Sequence, residues 1–446
     1  MWPERPAHLA QDARRRIGAH TMSLPGAPHL SRVGDELCLE GQSLHDLART
    51  FGTPLYVYSR KAMLDAVASY QRALQGRPHL ICYAMKANSN LAVLQIMAHA
   101  GCGFDIVSGG ELMRVLAAGG HADQVVFSGV GKTRGEMALA LRAGVRCFNV
   151  ESLDELELLS RVAQVESRRA AVSLRVNPDV DAGTHPYIST GLKGNKFGIA
   201  HEQALAAYQR AAQLPGIEVV GIDCHIGSQI TQVEPYLDAL DRMLDLVQAV
   251  EEAGIELKHI DLGGGLGIAY DDEQPPAADE LVSRLLARID ARGHGKREVL
   301  FEPGRSLVGN AGVLLTEVLY LKPGEGKNFC IVDAAMNDLM RPAMYEAWMA
   351  IEPVRQRGGA TLNWDVVGPV CESGDWLGRD RALSVASGDV LAVLSCGAYA
   401  MAMASNYNTR PRAAEVMIDG GRVHLIRDRE TAAELFAGEH LLGAVR

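Results

Sequence analysis

No stretch of about 18 uncharged apolar residues occurs in this chain, so a membrane partner is not expected. A basic excess is missing too. Lys and Arg number 44 against 54 Asp and Glu, a net charge of −10, whereas a nucleic-acid binder usually carries a basic face. The eight cysteines include no CxxC pair, which removes zinc-ribbon and thioredoxin-like readings. No residue is assigned to a metal. Several cysteines sit inside apolar runs, such as Cys82 in HLICYA and Cys330 in NFCIVDA, as buried thiols in a reducing cytoplasm do. No apolar core of a secretory signal lies in the first twenty residues. Arg14, Arg15 and Arg16 hint at a transit peptide, but Glu4 and Asp12 interrupt it, and a second Met stands at 22. Residues 1–30 are therefore expected to be a disordered extension, and the protein cytoplasmic.

What the chain does have is ordinary globular composition, 48% hydrophobic and 22% charged, with a surplus of glycine at 46 of 446 residues. That length fits two domains, or one large barrel with an addition. Between His79 and Gly304 a unit recurs: a short apolar strand, a polar or glycine turn, then a helix-period stretch. The strand candidates are HLICYA (79–84), GFDIVS (103–108), QVVFSG (124–129), VRCFNV (145–150), AVSLRVN (171–177), VVGIDCHIG (219–227), KHIDLGGG (258–265) and EVLFEPG (298–304). Gly101, Gly119 and Gly144 supply helix stops. Strands alternating with helices imply parallel βαβ units, and eight such units close a (β/α)8 barrel. An open doubly wound sheet would more often carry GxGxxG after its first strand, and none occurs there. After Arg305 short strand-like runs replace the helices, which predicts a mainly β domain over 306–446. The runs in 31–58 are expected to join that β domain, leaving the barrel at 59–305.

Barrel chemistry sits at the C-terminal ends of the strands. Here those ends read Lys86, Asp105, Ser128, Asn149, Arg175 with Asn177, His225, Gly263 to Gly265, and Glu302. A lysine at a barrel mouth can form a Schiff base with a carbonyl compound. His225 can act as a base, a ligand or a flat partner for an aromatic ring. Consecutive glycines in DLGGGLG let backbone N–H groups converge on a phosphate. Glu302 in FEPGR is an expensive charge unless paired, and a pyridinium N–H is a suitable partner. Together these are the requirements of pyridoxal 5′-phosphate (PLP).

The sequence resembles the barrel-type PLP-dependent decarboxylases of basic amino acids, of alanine racemase-like fold, and among them those acting on meso-diaminopimelate. YAMKAN, HPYISTGLKGNKFGI (185–199), HIGSQ, DLGGGLG, EPGR, MNDLMRPAMYEA, VGPVCESGD and SNYNTRPR carry the resemblance in order. It implies decarboxylation of meso-2,6-diaminopimelate to L-lysine and CO2, the last step of lysine biosynthesis. It implies that Lys86 bonds PLP, that His225 lies on the ring face, and that Glu302 faces the ring nitrogen. It places Asp105, Ser228, Gly263, Gly264, Gly265, Pro303, Gly304, Arg305 and Tyr399 around the cofactor. Arg305, Arg341, Tyr345, Glu372 and Tyr399 are implied to bind substrate, with Cys371 as proton donor. Cys371 and Glu372 are implied to come from a second subunit, in a homodimer with shared active sites. Gly194 departs from the family pattern, where an acidic residue is usual. A related decarboxylase of another basic amino acid or carrier-bound substrate is the alternative, which the Arg-bearing MNDLMRPAMYEA disfavours. A homologue that had lost catalysis would be expected to lack Lys86 or Cys371, and both are present.

Overall fold

The computed structural model describes residues 22–24, 27–181 and 195–443. Most of the HPYISTGLKGNKFGI motif, including Gly194, lies outside the described residues, as do residues 1–21. The chain forms two compact units.

One unit comprises 64–269 and 273–308. Its eight parallel strands are His79–Ala84, Gly103–Ile106, Val125–Phe127, Cys147–Val150, Ala170–Asn177, Ile217–Asp223, His259–Asp261 and Glu298–Phe301. Consecutive strands pair, the eighth pairs with the first, and the fourth with the fifth, so the sheet closes into a barrel. Parallel strands covered on both faces read as near-continuous apolar runs, and Gly103–Ile106 and Cys147–Val150 are buried throughout. Leu80, Cys82, Val126, Cys147, Val220 and Leu300 form one buried cluster. Several of its helices begin on side-chain caps: Ser108, Thr133 and Ser152 accept from the backbone N–H of Glu111, Glu136 and Glu155. Gly144 ends the helix Arg134–Ala143 in the left-handed region at φ 76°.

Several barrel strands stop short of the apolar runs. The sixth ends at Asp223, two residues before His225, and the seventh ends at Asp261, ahead of the glycines. The backbone leaves the ladder there because Gly263 and Gly265 take positive φ, which a strand cannot hold. A further two-residue strand, Ile199–Ala200, pairs beside the fifth.

The second unit contains the described residues up to Met63, Tyr270–Asp272 and the described residues from Gly309 onward. Gly312–Lys322 pairs antiparallel with Leu55–Ser59, which pairs on its other side in parallel with Ala414–Asp419. The N-terminal strand thus lies inside a sheet made otherwise from the C-terminal third. Leu37, Leu44, Leu55, Val57, Leu315 and Val416 share its buried core. The extension expected over 1–30 is corrected at its C-terminal side. Met22–Ser23 pairs with Ser31 and Arg32, and Ala27 and Leu30 are buried, because Leu30 turns into that core. Among the described residues no helix is long and apolar enough to cross a membrane.

Leu55 is completely buried at the centre of this sheet. Leu55→Ala is expected to cost about 2–5 kcal/mol of unfolding free energy, lost transfer energy plus a cavity. Urea denaturation measures it, and a loss below about 1 kcal/mol would contradict the packing described.

Candidate active site

At the barrel mouth, the turn after the first strand, Met85–Ala87, sets Lys86 between two buried neighbours. The Lys86 side chain is 40% exposed, while that of Asp105, at the end of the second strand, is 0% exposed. Their Nζ and Oδ2 atoms lie 2.7 Å apart. The amine is thus held on the rim with its outer face open.

Glu302 directly follows the eighth strand and is buried. Its Oε1 accepts a hydrogen bond from Asn149 Nδ2 at 3.0 Å, and the same amide donates to Ser128 Oγ at 3.1 Å. Burial pushes the Glu302 carboxyl well above its ordinary range, aided by Asp105, Asp261 and Asp223, while Lys86 pulls it down. Asp223, Asp261 and Glu302 present carboxyl oxygens within 4.8 Å of one another.

His225 Nδ1 accepts the backbone N–H of Gly264 at 3.1 Å. Nδ1 therefore carries a lone pair, and the proton of the neutral ring sits on Nε2. Burial, then Arg175 and Lys86, hold this imidazole far below its ordinary range, so it stays neutral. The glycine loop is pressed against its neighbours. A Cβ on Gly264 would stand 2.1 Å from the Glu302 carbonyl oxygen, and one on Gly263 would stand 2.4 Å from that of Cys224. Beside it, buried Arg305 donates to Ser228 Oγ at 2.9 Å. A buried guanidinium, a hydroxyl and a side-chain-free loop fit an anionic group such as a phosphate. Pro303 and Gly304 link Glu302 to Arg305, and Ala84 N–H bonds the Pro303 carbonyl at 3.0 Å.

The other residues inferred from the sequence lie on the second unit. Arg341 is buried at the start of the short helix Arg341–Tyr345, its guanidinium 4.8 Å from the centroid of the Tyr270 ring. Tyr345 and Tyr399 are half-buried, and Tyr399 holds a strained φ of 53°. Cys371 and Glu372 are exposed. Glu372 Oε1 accepts the Tyr407 hydroxyl at 2.5 Å, and Asn408 Nδ2 lies 3.7 Å from Cys371 Sγ. Buried Asp375 fixes their loop by accepting the N–H groups of Met336 and Val370, each at 2.7 Å. The other seven cysteines are buried, and all eight are free thiols.

The sequence reading gave no role to Asn149, Asp223 or Asp261. Asn149 stood out only as a polar strand end. The acids were visible as charges inside otherwise apolar strands, an expensive placement that asks for a reason.

The family model for the pyridoxal-dependent decarboxylase pyridoxal binding domain matches residues 60–309. Diaminopimelate decarboxylase of Pseudomonas aeruginosa is 60% identical over 408 residues, spanning 91% of this chain and 97% of that one. The crystal structure of diaminopimelate decarboxylase from M. jannaschii in co-complex with L-lysine superposes with a TM-score of 0.90 at 38% identity, covering 94% and 99% of the two chains. The Helicobacter pylori enzyme complexed with L-lysine gives 0.85 at 40% identity, covering 89% and 98%.

The contacts at Gly264 generate a paired test. Gly264→Ala is expected to cost about 1–3 kcal/mol by forcing the loop off the Glu302 backbone. Gly135→Ala, in a helix with open space around the new methyl, is expected to gain about 0.5–1 kcal/mol. Thermal melting compares them, and equal shifts would contradict the close approach.

Proposed function

Since the chain belongs to the diaminopimelate decarboxylases, within the pyridoxal-dependent decarboxylase family, we propose that it converts meso-2,6-diaminopimelate to L-lysine and CO2 with PLP as cofactor. The observation that carries the reading is the barrel mouth itself. A rim lysine, a buried glutamate oriented by Asn149, and an anion cradle of Gly263 to Gly265, Ser228 and Arg305 stand in one ring of strand ends.

PLP, when bound, withdraws electrons from the substrate α-carbon so that its carboxylate can leave as CO2. Lys86 provides the amine that holds the cofactor, and Asp105 keeps that amine in place until it reacts. Glu302 keeps a proton on the ring nitrogen, an interaction favoured by exclusion of water. His225, neutral and fixed by Gly264, offers a flat face without adding a competing charge. Arg305, Arg341 and Tyr345 hold the distal carboxylate of the substrate, a task suited to a bidentate guanidinium. Glu372 takes the distal ammonium, Tyr399 reaches cofactor and substrate, and the Cys371 thiol returns a proton to the α-carbon. Cys371 and Glu372 are exposed in the single chain, which supports their service to the site of a second copy in a homodimer.

Release of CO2 and L-lysine from meso-diaminopimelate, with PLP added and omitted, tests the reaction directly. No lysine from the PLP-loaded protein would sink it.

Glu302→Gln is expected to retain cofactor but lower kcat about 10–100-fold, the worth of one charged hydrogen bond of about 1.5–3 kcal/mol. Stopped-flow decay of substrate reads it, and an unchanged rate would remove Glu302 from the ring-nitrogen role. Cys371→Ala and Lys86→Ala proteins should each be inactive alone. Mixed, their hybrid dimers hold one site with both residues intact, so each hybrid recovers up to about half the wild-type activity. Proven subunit exchange with no recovery would abandon the shared site.

A further inference from the structure

Under the barrel mouth, acids outnumber cations. Asp105, Glu151, Asp223, Asp261 and Glu302 are all buried. Among the described residues, the cations that face them are Lys86 and Arg175: Lys86 pairs with Asp105, and Arg175 with Glu151 at 3.3 Å. Arg175 also attracts Asp223. The nearby Lys132 is spent on Glu155, 2.7 Å away. Five carboxyl groups cannot all stay ionised out of water against two cations.

The hydrogen bonds say where a proton goes. Asp261 Oδ1 accepts the Gly263 N–H at 2.9 Å, which fixes the carboxyl orientation. Its Oδ2 is buried and meets no donor, and so is Asp223 Oδ1. Carboxyl oxygens of Asp261 and Glu302 lie within 4.8 Å of each other, and Glu302 Oε1 already accepts from Asn149. Two buried carboxyl groups this close avoid like-charge repulsion when one of them keeps its proton. Glu302 Oε1 has a donor in Asn149 and Asp223 faces Arg175, whereas Asp261 Oδ2 meets no donor.

We propose that Asp261 is a positioning residue that retains its proton and donates a hydrogen bond to the Glu302 carboxylate. Asp261 then ties the glycine loop to the acid opposite the cofactor ring: one oxygen holds Gly263, the other aims Glu302. The Glu302 backbone N–H closes the link by donating to the Gly263 carbonyl at 2.6 Å. Burial first, then the charge of Asp105, raise the Asp261 carboxyl to about 7, with the Gly263 N–H opposing them. Cys82, Cys147 and Cys224, whose thiols feel these acids, are themselves pushed up by burial and stay neutral.

The inference rests on the decarboxylase reading for the role of Glu302, but its main test does not involve turnover. Infrared spectra of PLP-loaded protein carrying 13C-labelled aspartate, without substrate, should show a protonated-carboxyl C=O band below neutral pH. The wild-type minus Asp261→Asn difference should contain such a band, fading as the pH rises through about 7; Asp223 and Asp338, also raised, are common to both proteins. An unfading spectrum, or loss of an ionised-carboxylate band on substitution, would overturn the proposal.

Melting temperature gives a second measurement. A folded value above the ordinary 3.8 means that wild type loses stability as the pH rises from the ordinary range through about 7. Its melting point should therefore fall relative to that of Asp261→Asn across that window, and a constant difference would count against the idea. In kinetics, Asp261→Ala should lower kcat about 10–100-fold with little change in KM. Asp261→Asn keeps an N–H donor and should recover most of that loss; equal damage in both variants would overturn the donor role. One equivalent of divalent cation surviving chelation would put an ion where the proton is placed, and would overturn the proposal as well. If wild type fails to release lysine while the infrared result holds, the substrate reading has failed and the proton placement has not.

Discussion

Negative charge withheld from water is the constraint on which the barrel mouth depends. A carboxylate such as Glu302 can serve a bound cation only if water does not screen it, yet burial itself favours the neutral acid. The surroundings resolve this conflict with fixed donors. Asn149, held by Ser128, reaches Glu302 across the barrel from the fourth strand to the eighth. Lys86 lowers the carboxyl from the first strand side. Closure of the sheet makes the arrangement available, because an open sheet would set residues 149 and 302 far apart.

The glycine loop answers the same constraint in geometry. Gly263 and Gly264 pack against the carbonyls of Cys224 and Glu302, leaving no room for side chains. The N–H of Gly263 holds Asp261, and that of Gly264 sets the tautomer of His225. One short segment thereby shapes the floor for an anion, the orientation of an imidazole and the backbone position of the key acid.

Much of this was legible in the residues. Runs buried on both faces announced the barrel strands, since parallel strands leave no polar face, and YAMKAN, HIGSQ, DLGGGLG and EPGR fell at their ends. Strand ends were overestimated, because apolar character continues into loops whose course is set by φ at Gly263 and Gly265. Asn149 and Asp261 escaped assignment for a different reason. The meaning of Asn149 lies in a contact with a residue 153 positions away, and that of Asp261 in what its second oxygen fails to find. Neither is a property of a local pattern. Leu30 shows the reverse error: a short segment near a chain end carried too little periodicity to reveal that it completes a core.

Leu55–Ser59 lies between Gly312–Lys322 and Ala414–Asp419. During synthesis from the N-terminus this apolar strand emerges long before either neighbour exists. Both its edges must wait through the making of the barrel, unpaired and attractive to any other extended segment. Assembly of this unit is therefore governed by contacts between the two ends of the chain, the slowest kind to close. A ribosome stalled within the barrel would present a finished barrel sequence and an orphan strand, a natural client for a chaperone that shields exposed strand edges.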